Sequence, residues 1–303
     1  MDHKEFLATL SPAERSELTS RSNSAGLRHL ASHAGAAILG AVLIGSGIPC
    51  WWLLLPVQGI LLIFLFTLEH EATHQTPFAS PALNDAVGRV CGLILVLPFT
   101  WFRYFHLAHH RFTHDPDRDP ELLAGPKPEG WRAYAWHVSG LPYWGGMLAQ
   151  FARLVAGRGL ADFVPPGAHG RVVFEARAMA LIYGVALGSL SFSPLLWWIW
   201  ILPVILGQPF LRLFLLAEHG RCPHVANMFD NTRTTFTCRA ARWLAWNVPY
   251  HAEHHVMPAV PFHKLTQLHR LTRAHLLQTE NGYARFHRRY VADFAAPDNS
   301  ARN

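Results

Sequence analysis

The chain has 303 residues, half of them hydrophobic and only 15% charged, with eleven tryptophans and twenty histidines. A formal charge of +6 could suit nucleic acid, but Lys and Arg fall at 4–28, 89–177 and 212–302, around two uncharged runs at 34–68 and 178–211. The basic excess is therefore topological in origin, and a nucleic-acid partner is not expected.

One crossing of a bilayer takes about 20 apolar residues, so each uncharged run reads as a helical hairpin. Before the first run, Ser11-Pro12-Ala13-Glu14 has the pattern of a capping box with proline at the first helical position, and predicts a short surface helix. The first span runs from Leu27 or His33 to Ile48, Gly47-Ile48-Pro49 makes the turn, and Trp51 and Trp52 sit at an interface. The second span returns through Leu53–Leu68, with Pro56 as a kink, and continues unbroken to carry Glu69, His70, Glu71 and His74 out of the bilayer. Residues 84–102 are apolar but interrupted by Arg89 and Pro98, which predicts a re-entrant or interfacial helix. The Pro- and Gly-rich segment 115–172, with Trp131, Trp136 and Trp144, is expected to hug the membrane. The third span covers Ala178–Leu190, Ser191–Pro194 turns the chain, and the fourth covers Leu195–Leu216, bent at Pro203 and Pro209 and ending at Glu218-His219. Beyond it, Leu265, Leu268, Leu271 and Leu276 predict a basic amphipathic helix.

The expected fold is an all-α integral membrane protein with four transmembrane helices in two hairpins, near 30–48, 51–69, 175–191 and 195–217, plus interfacial helices. One domain over 1–303 is expected, capped on the cytoplasmic side by a histidine-rich helical part built from 70–172 and 218–280. Both termini and the histidines fall on that side. The polar start is unlike a secretory signal, and Cys50, Cys91, Cys222 and Cys238 lack paired spacing and read as free thiols.

The chemistry sits in three boxes: His70 and His74; His106, His109 and His110; and His251, His254 and His255. On a helix, positions i, i+3 and i+4 share a face, so each box can aim its imidazoles at one point. A lone histidine defaults to a structural role, but eight in three such boxes point to metal, and imidazole suits zinc, copper, iron and nickel. His219 falls on the same side. Nine imidazoles suit two metals with four or five ligands each, whereas one zinc needs three or four. Metal-bound histidines usually donate their second N–H to a carboxylate or carbonyl. Glu71, Asp115, Asp119, Glu218 and Glu253 are placed for that, and Arg233 and Asn247 to position the last box. His114 and His224 fit no spacing.

The three boxes, with Asn231-Thr232-Arg233-Thr234-Thr235 and the Pro258 that follows the last box, resemble the membrane fatty acid desaturase superfamily and its bacterial members over roughly residues 34–270. The resemblance implies a non-haem di-iron centre that uses O2 to take hydrogen from an unactivated C–H bond, in a bacterial inner membrane. It also implies that His219, which matches a further histidine after the fourth span, is a ligand. Desaturation of a fatty acyl chain is the expected activity, with hydroxylation or ketolation of a lipid, carotenoid or other hydrocarbon as the alternative. Neither a haem motif nor a cysteine cluster is visible, so electrons are expected from a separate ferredoxin, rubredoxin or cytochrome-like partner. His70-Glu71-Ala72-Thr73-His74 also matches the H-E-x-x-H of zinc proteases. A hydrolase would leave the other two boxes unused, and a transporter would place its ligands near the bilayer midplane.

Overall fold

The computed structural model describes residues 1–295. Helices α1 (His3–Thr9) and α2 (Pro12–Leu18) both begin on capping boxes, Asp2 with Glu5 and Ser11 with Glu14. Their apolar residues Phe6, Leu10 and Leu18 join Phe229, Tyr250, Val256, Leu265 and Leu268 in one core. The helix predicted to lie on a surface, α2, is exposed except at Leu18, through which it joins this core behind the last histidine box.

The first uncharged run folds as α3 (Asn23–Gly45), a turn through Gly47, a 3-10 turn Trp51–Leu54, then α4 (Leu55–Ile63) and α5 (Leu65–Thr73). Gly47 takes a left-handed φ of +64°, which glycine adopts without steric cost. The second span is not an unbroken helix, because Phe64 separates α4 from α5. Pro56 lies in the first turn of α4, where its missing N–H costs nothing, and so starts the helix and does not kink it.

Helices α6 (Pro81–Leu95) and α7 (Phe99–Phe112) meet at 100°, in keeping with a re-entrant or interfacial segment. Left-handed Val96 ends α6 and Pro98 precedes α7. The segment rich in Pro and Gly supplies the single turn α8 (Pro120–Leu123) and the helices α9 (Gly130–Val138) and α10 (Leu141–Val155). The second hairpin comprises α11 (His169–Ser189), a π-helical turn Trp197–Ile201 and α12 (Leu202–His219). Pro209 lies inside α12, while Pro203 sits in its first turn.

Four segments are long and apolar enough to cross a membrane: Pro12–Gly45, Trp51–Thr73, Pro166–Ser189 and Trp197–His219. Their outer faces expose Ile38, Leu39, Val42, Leu181 and Val185, as lipid-facing positions should. The two hairpins lock together where α4 crosses α12. A Cβ on Gly207 would stand 2.2 Å from the Gly59 carbonyl oxygen, and one on Gly59 would stand 2.3 Å from that of Pro203. Only glycine permits this backbone contact, the usual device of close helix packing in membranes.

The remainder forms α13 (Met228–Asn231), β1 (Thr234–Phe236), α14 (Arg239–Leu244), α15 (His251–Val256), α16 (Leu265–Thr272), β2 (Thr279–Asn281) and α17 (Tyr283–Ala292). In the predicted amphipathic helix, Leu265 and Leu268 are buried, Leu271 is exposed, and Leu276 lies past its end. Strands β1 and β2 pair in parallel, Thr234 opposite Thr279, the departure from an all-helical reading. Three-residue strands are too short to show an alternating pattern in sequence.

Candidate metal centre

Each box is delivered by a helix end. Helix α5 carries His70 and stops at His74, the last two turns of α7 carry His106, His109 and His110, α12 closes on His219, and α15 holds His251, His254 and His255. Arg233, expected at the last box, instead donates to the Ala217 and Gly220 carbonyls at 2.7 and 2.8 Å, which ties down the last turn of α12 beside His219. Asn247, left-handed at φ +60°, donates to the Phe262 carbonyl, and its own carbonyl accepts from Tyr250 N at the start of α15.

The structure brings all nine histidines together in two groups. His70, His74, His106, His110 and His254 each present a nitrogen within 4.8 Å of the others, and so do His109, His219 and His255. His251 adjoins the second group, its Nε2 lying 3.1 Å from that of His219. Other Nε2 pairs approach similarly: His74 with His106 at 2.9 Å, His110 with His254 at 3.2 Å, and His109 with His219 at 3.3 Å. Metal–nitrogen bonds of about 2.0–2.1 Å set ligand nitrogens roughly 3–3.4 Å apart, and these spacings match. Several buried imidazole nitrogens have no protein partner, including both of His70, Nδ1 of His110 and Nε2 of His255. Burial, reinforced by neighbouring imidazoles, holds His251, His254 and His255 well below the usual histidine pKa. They are neutral, as ligands must be. Buried and converging nitrogens fit a pair of metal ions.

The surrounding acids divide. Asp119 accepts from His109 Nδ1 at 2.9 Å, Glu71 lies 3.2 Å from His254 Nδ1 and 3.5 Å from His70 Nδ1, and Glu218 lies 3.4 Å from His251 Nδ1. The Asn231 carbonyl accepts from His219 Nδ1. Two predicted partners fall elsewhere. Asp115 is drawn to Arg118 three residues on and closes the turn before α8. Glu253 points away from the boxes on α15 and bonds His269 and Thr234. The sequence reading missed Glu121, 3.5 Å from His109 Nε2. Its signal was the acid-rich run Asp115–Glu121, within which spacing alone does not single out one carboxylate. His114 packs on His219 at 5.3 Å between ring centres and His224 on His114 at 5.0 Å, both outside the two groups.

A cavity of about 1410 Å³ opens beside the boxes. His70, His106, His109 and His251 reach its wall, which also carries the aromatic side chains Phe66, Trp101, Phe102 and Phe105 and the charged Glu121, Lys127 and Arg212.

Apolar spans, two histidine groups able to hold metal, and an adjoining aromatic cavity define a membrane oxidoreductase of the histidine-box class. The chain belongs to the fatty acid desaturase family, which it matches over residues 46–289. Among curated relatives, it is 24% identical to an sn-1 oleoyl-lipid 12-desaturase of Arthrospira platensis, over 75% of this chain and 72% of the relative. It is 26% identical to the dihydrorhizobitoxine desaturase of Bradyrhizobium elkanii, over 75% and 69%, and 26% identical to a sphingolipid delta(4)-desaturase of Drosophila melanogaster, over 79% and 73%.

Proposed function

We propose that this protein is a di-iron oxidoreductase that desaturates a fatty acyl chain, with O2 as co-substrate and electrons from a separate ferredoxin, rubredoxin or cytochrome-like donor. The observation that carries this reading is the division of nine imidazoles into groups of five and four beside an aromatic cavity. His70, His74, His106, His110 and His254 would hold one ion, and His109, His219, His251 and His255 the other. The chemistry supplied by two ferrous ions is reductive activation of O2 and removal of hydrogen from an unactivated C–H bond.

The protein's own part is positioning. Asp119 and the Asn231 carbonyl fix the rings of His109 and His219, and Glu71 and Glu218 lie beside Nδ1 of His254 and His251, so that Nε2 of all four is left to face the groups. Phe66, Trp101, Phe102 and Phe105 hold an alkyl chain against the histidines and exclude water, which protects a reactive site from side reactions. In our reading the chain is one domain in a bacterial inner membrane, with its termini and metal site cytoplasmic. Glu71 lies 3.2 Å from His254 Nδ1 and 3.5 Å from His70 Nδ1, between its own box and one that a hydrolase would leave unused, and this favours the oxidoreductase over the H-E-x-x-H hydrolase.

Metal quantification by mass spectrometry on detergent-purified protein tests the proposal. Iron near two per chain, lost in His109→Ala and in His254→Ala, is the expected result. A single zinc that survives both substitutions and disappears only in His70→Ala would overturn it. Product analysis of the iron-loaded protein then separates an alkene from an alcohol or ketone.

A further inference from the structure

The cavity contains one cation that neither the histidine groups nor the fold accounts for. Of its Lys and Arg side chains, Arg118 is paired with Asp115, Lys127 is paired with Glu121, and Arg153 is exposed. Arg212 is partly buried in α12, inside the spanning segment Trp197–His219, and has no carboxylate partner among the described residues. Its guanidinium lies 4.3 Å from the Tyr143 ring centre. Gln208, with its carboxamide oxygen turned inward, accepts from Nε at 2.9 Å and Nη2 at 3.3 Å. Gly140, left-handed at φ +74° between α9 and α10, brings that turn hard against Gln208, since a Cβ there would stand 2.5 Å from Gln208 Cγ. The guanidinium is thus held in place by a neutral amide and a ring.

Further polar groups on the same wall lack partners. The buried indole N–H of Trp101 and the buried Nε2 of His137 both line the cavity without a hydrogen bond. Burial, followed by the charge of Arg212, pushes the His137 imidazole down to about 4. A charge inside a spanning segment with no carboxylate in direct contact is expensive and marks a functional site.

We propose that Arg212 receives an anionic oxygen group of the substrate, a carboxylate or phosphate, so that the molecule desaturated is an amphipathic acid and not a neutral lipid ester. The inference rests on the desaturase reading of this cavity. Arg212 precedes His219 by seven residues, roughly 10 Å along the helix axis. The attacked carbons therefore lie towards the head of the substrate and not at its tail.

The test uses the purified, metal-loaded full chain without an electron donor, so that nothing turns over, and quenching of tryptophan fluorescence, since Trp101 and Trp136 line the cavity. The probes are dibromostearic acid, its methyl ester, and a lysophosphatidic acid with the same brominated chain. Wild type is expected to bind at least one anionic probe more tightly than the ester. Arg212→Gln should weaken that probe by about 30-fold or more and leave the ester unchanged, with Arg212→Lys recovering part of the loss. Preference for the carboxylate over the phosphate, or the reverse, tells a free acid from a lipid head group, and either supports the proposal. Equal wild-type affinity for all three probes would overturn it without recourse to any variant. So would an Arg212→Gln that loses acid and ester alike, since Arg212 would then be structural. Because binding is read without turnover, an acid that binds through Arg212 yet is never converted once electrons are supplied would refute the desaturase reading and leave this one standing.

Discussion

Asp119 shows how much one side chain can do at this site. One carboxylate oxygen accepts from His109 Nδ1 and from the Glu121 amide, while the other accepts from the His114 amide, whose residue is left-handed at φ +64°. The same group therefore sets a histidine ring and shapes the loop that carries Glu121 to it. Asp119→Asn keeps the size but removes the charge, and metal retention is expected to fall by about 10–100-fold in competition with a chelator. Asp115→Asn, four residues earlier, should leave retention unchanged, because its carboxylate serves Arg118. At this scale the box histidines were legible because a helix turns their spacing into convergence. The acids were legible only in part, since the bend at residues 115–119 decides which of them faces inward.

Among the elements, the crossing of α4 and α12 matters most. Helix α4 continues into α5 with His70, and α12 ends at His219, so the contact between Gly59 and Gly207 sets the distance between histidine groups. Gly207→Ala must push the backbones apart, and a loss of about 1–3 kcal/mol is expected, read as a lower thermal midpoint in detergent. Metal retention should decline in the same variant, although no ligand has changed. The two hairpins could be read from uncharged length alone. The break at Phe64, the π-helical turn at Trp197–Ile201 and the β1–β2 pair could not, because each depends on how an element meets its neighbours.

At the scale of the whole molecule, two cysteines report the proposed orientation. Cys50 is exposed in the turn between the first two spans and Cys238 is exposed beside α14, while Cys91 and Cys222 are buried. A membrane-impermeant maleimide should label Cys50 in intact cells and Cys238 only after permeabilisation; the reverse pattern would invert the topology. Removing metal should also destabilise the whole, because four separate helices share the two groups. At free metal a thousand times its Kd, each ion would contribute about 4 kcal/mol, so a chelator should lower the thermal midpoint markedly. The five-histidine group draws on His70 near the front of the chain and His254 near its back. During synthesis, then, neither group exists until the second hairpin has entered the membrane and α15 has left the ribosome. A chain interrupted before His251 keeps His70, His74, His106 and His110 but completes neither group, so full loading of both would be the last step of assembly.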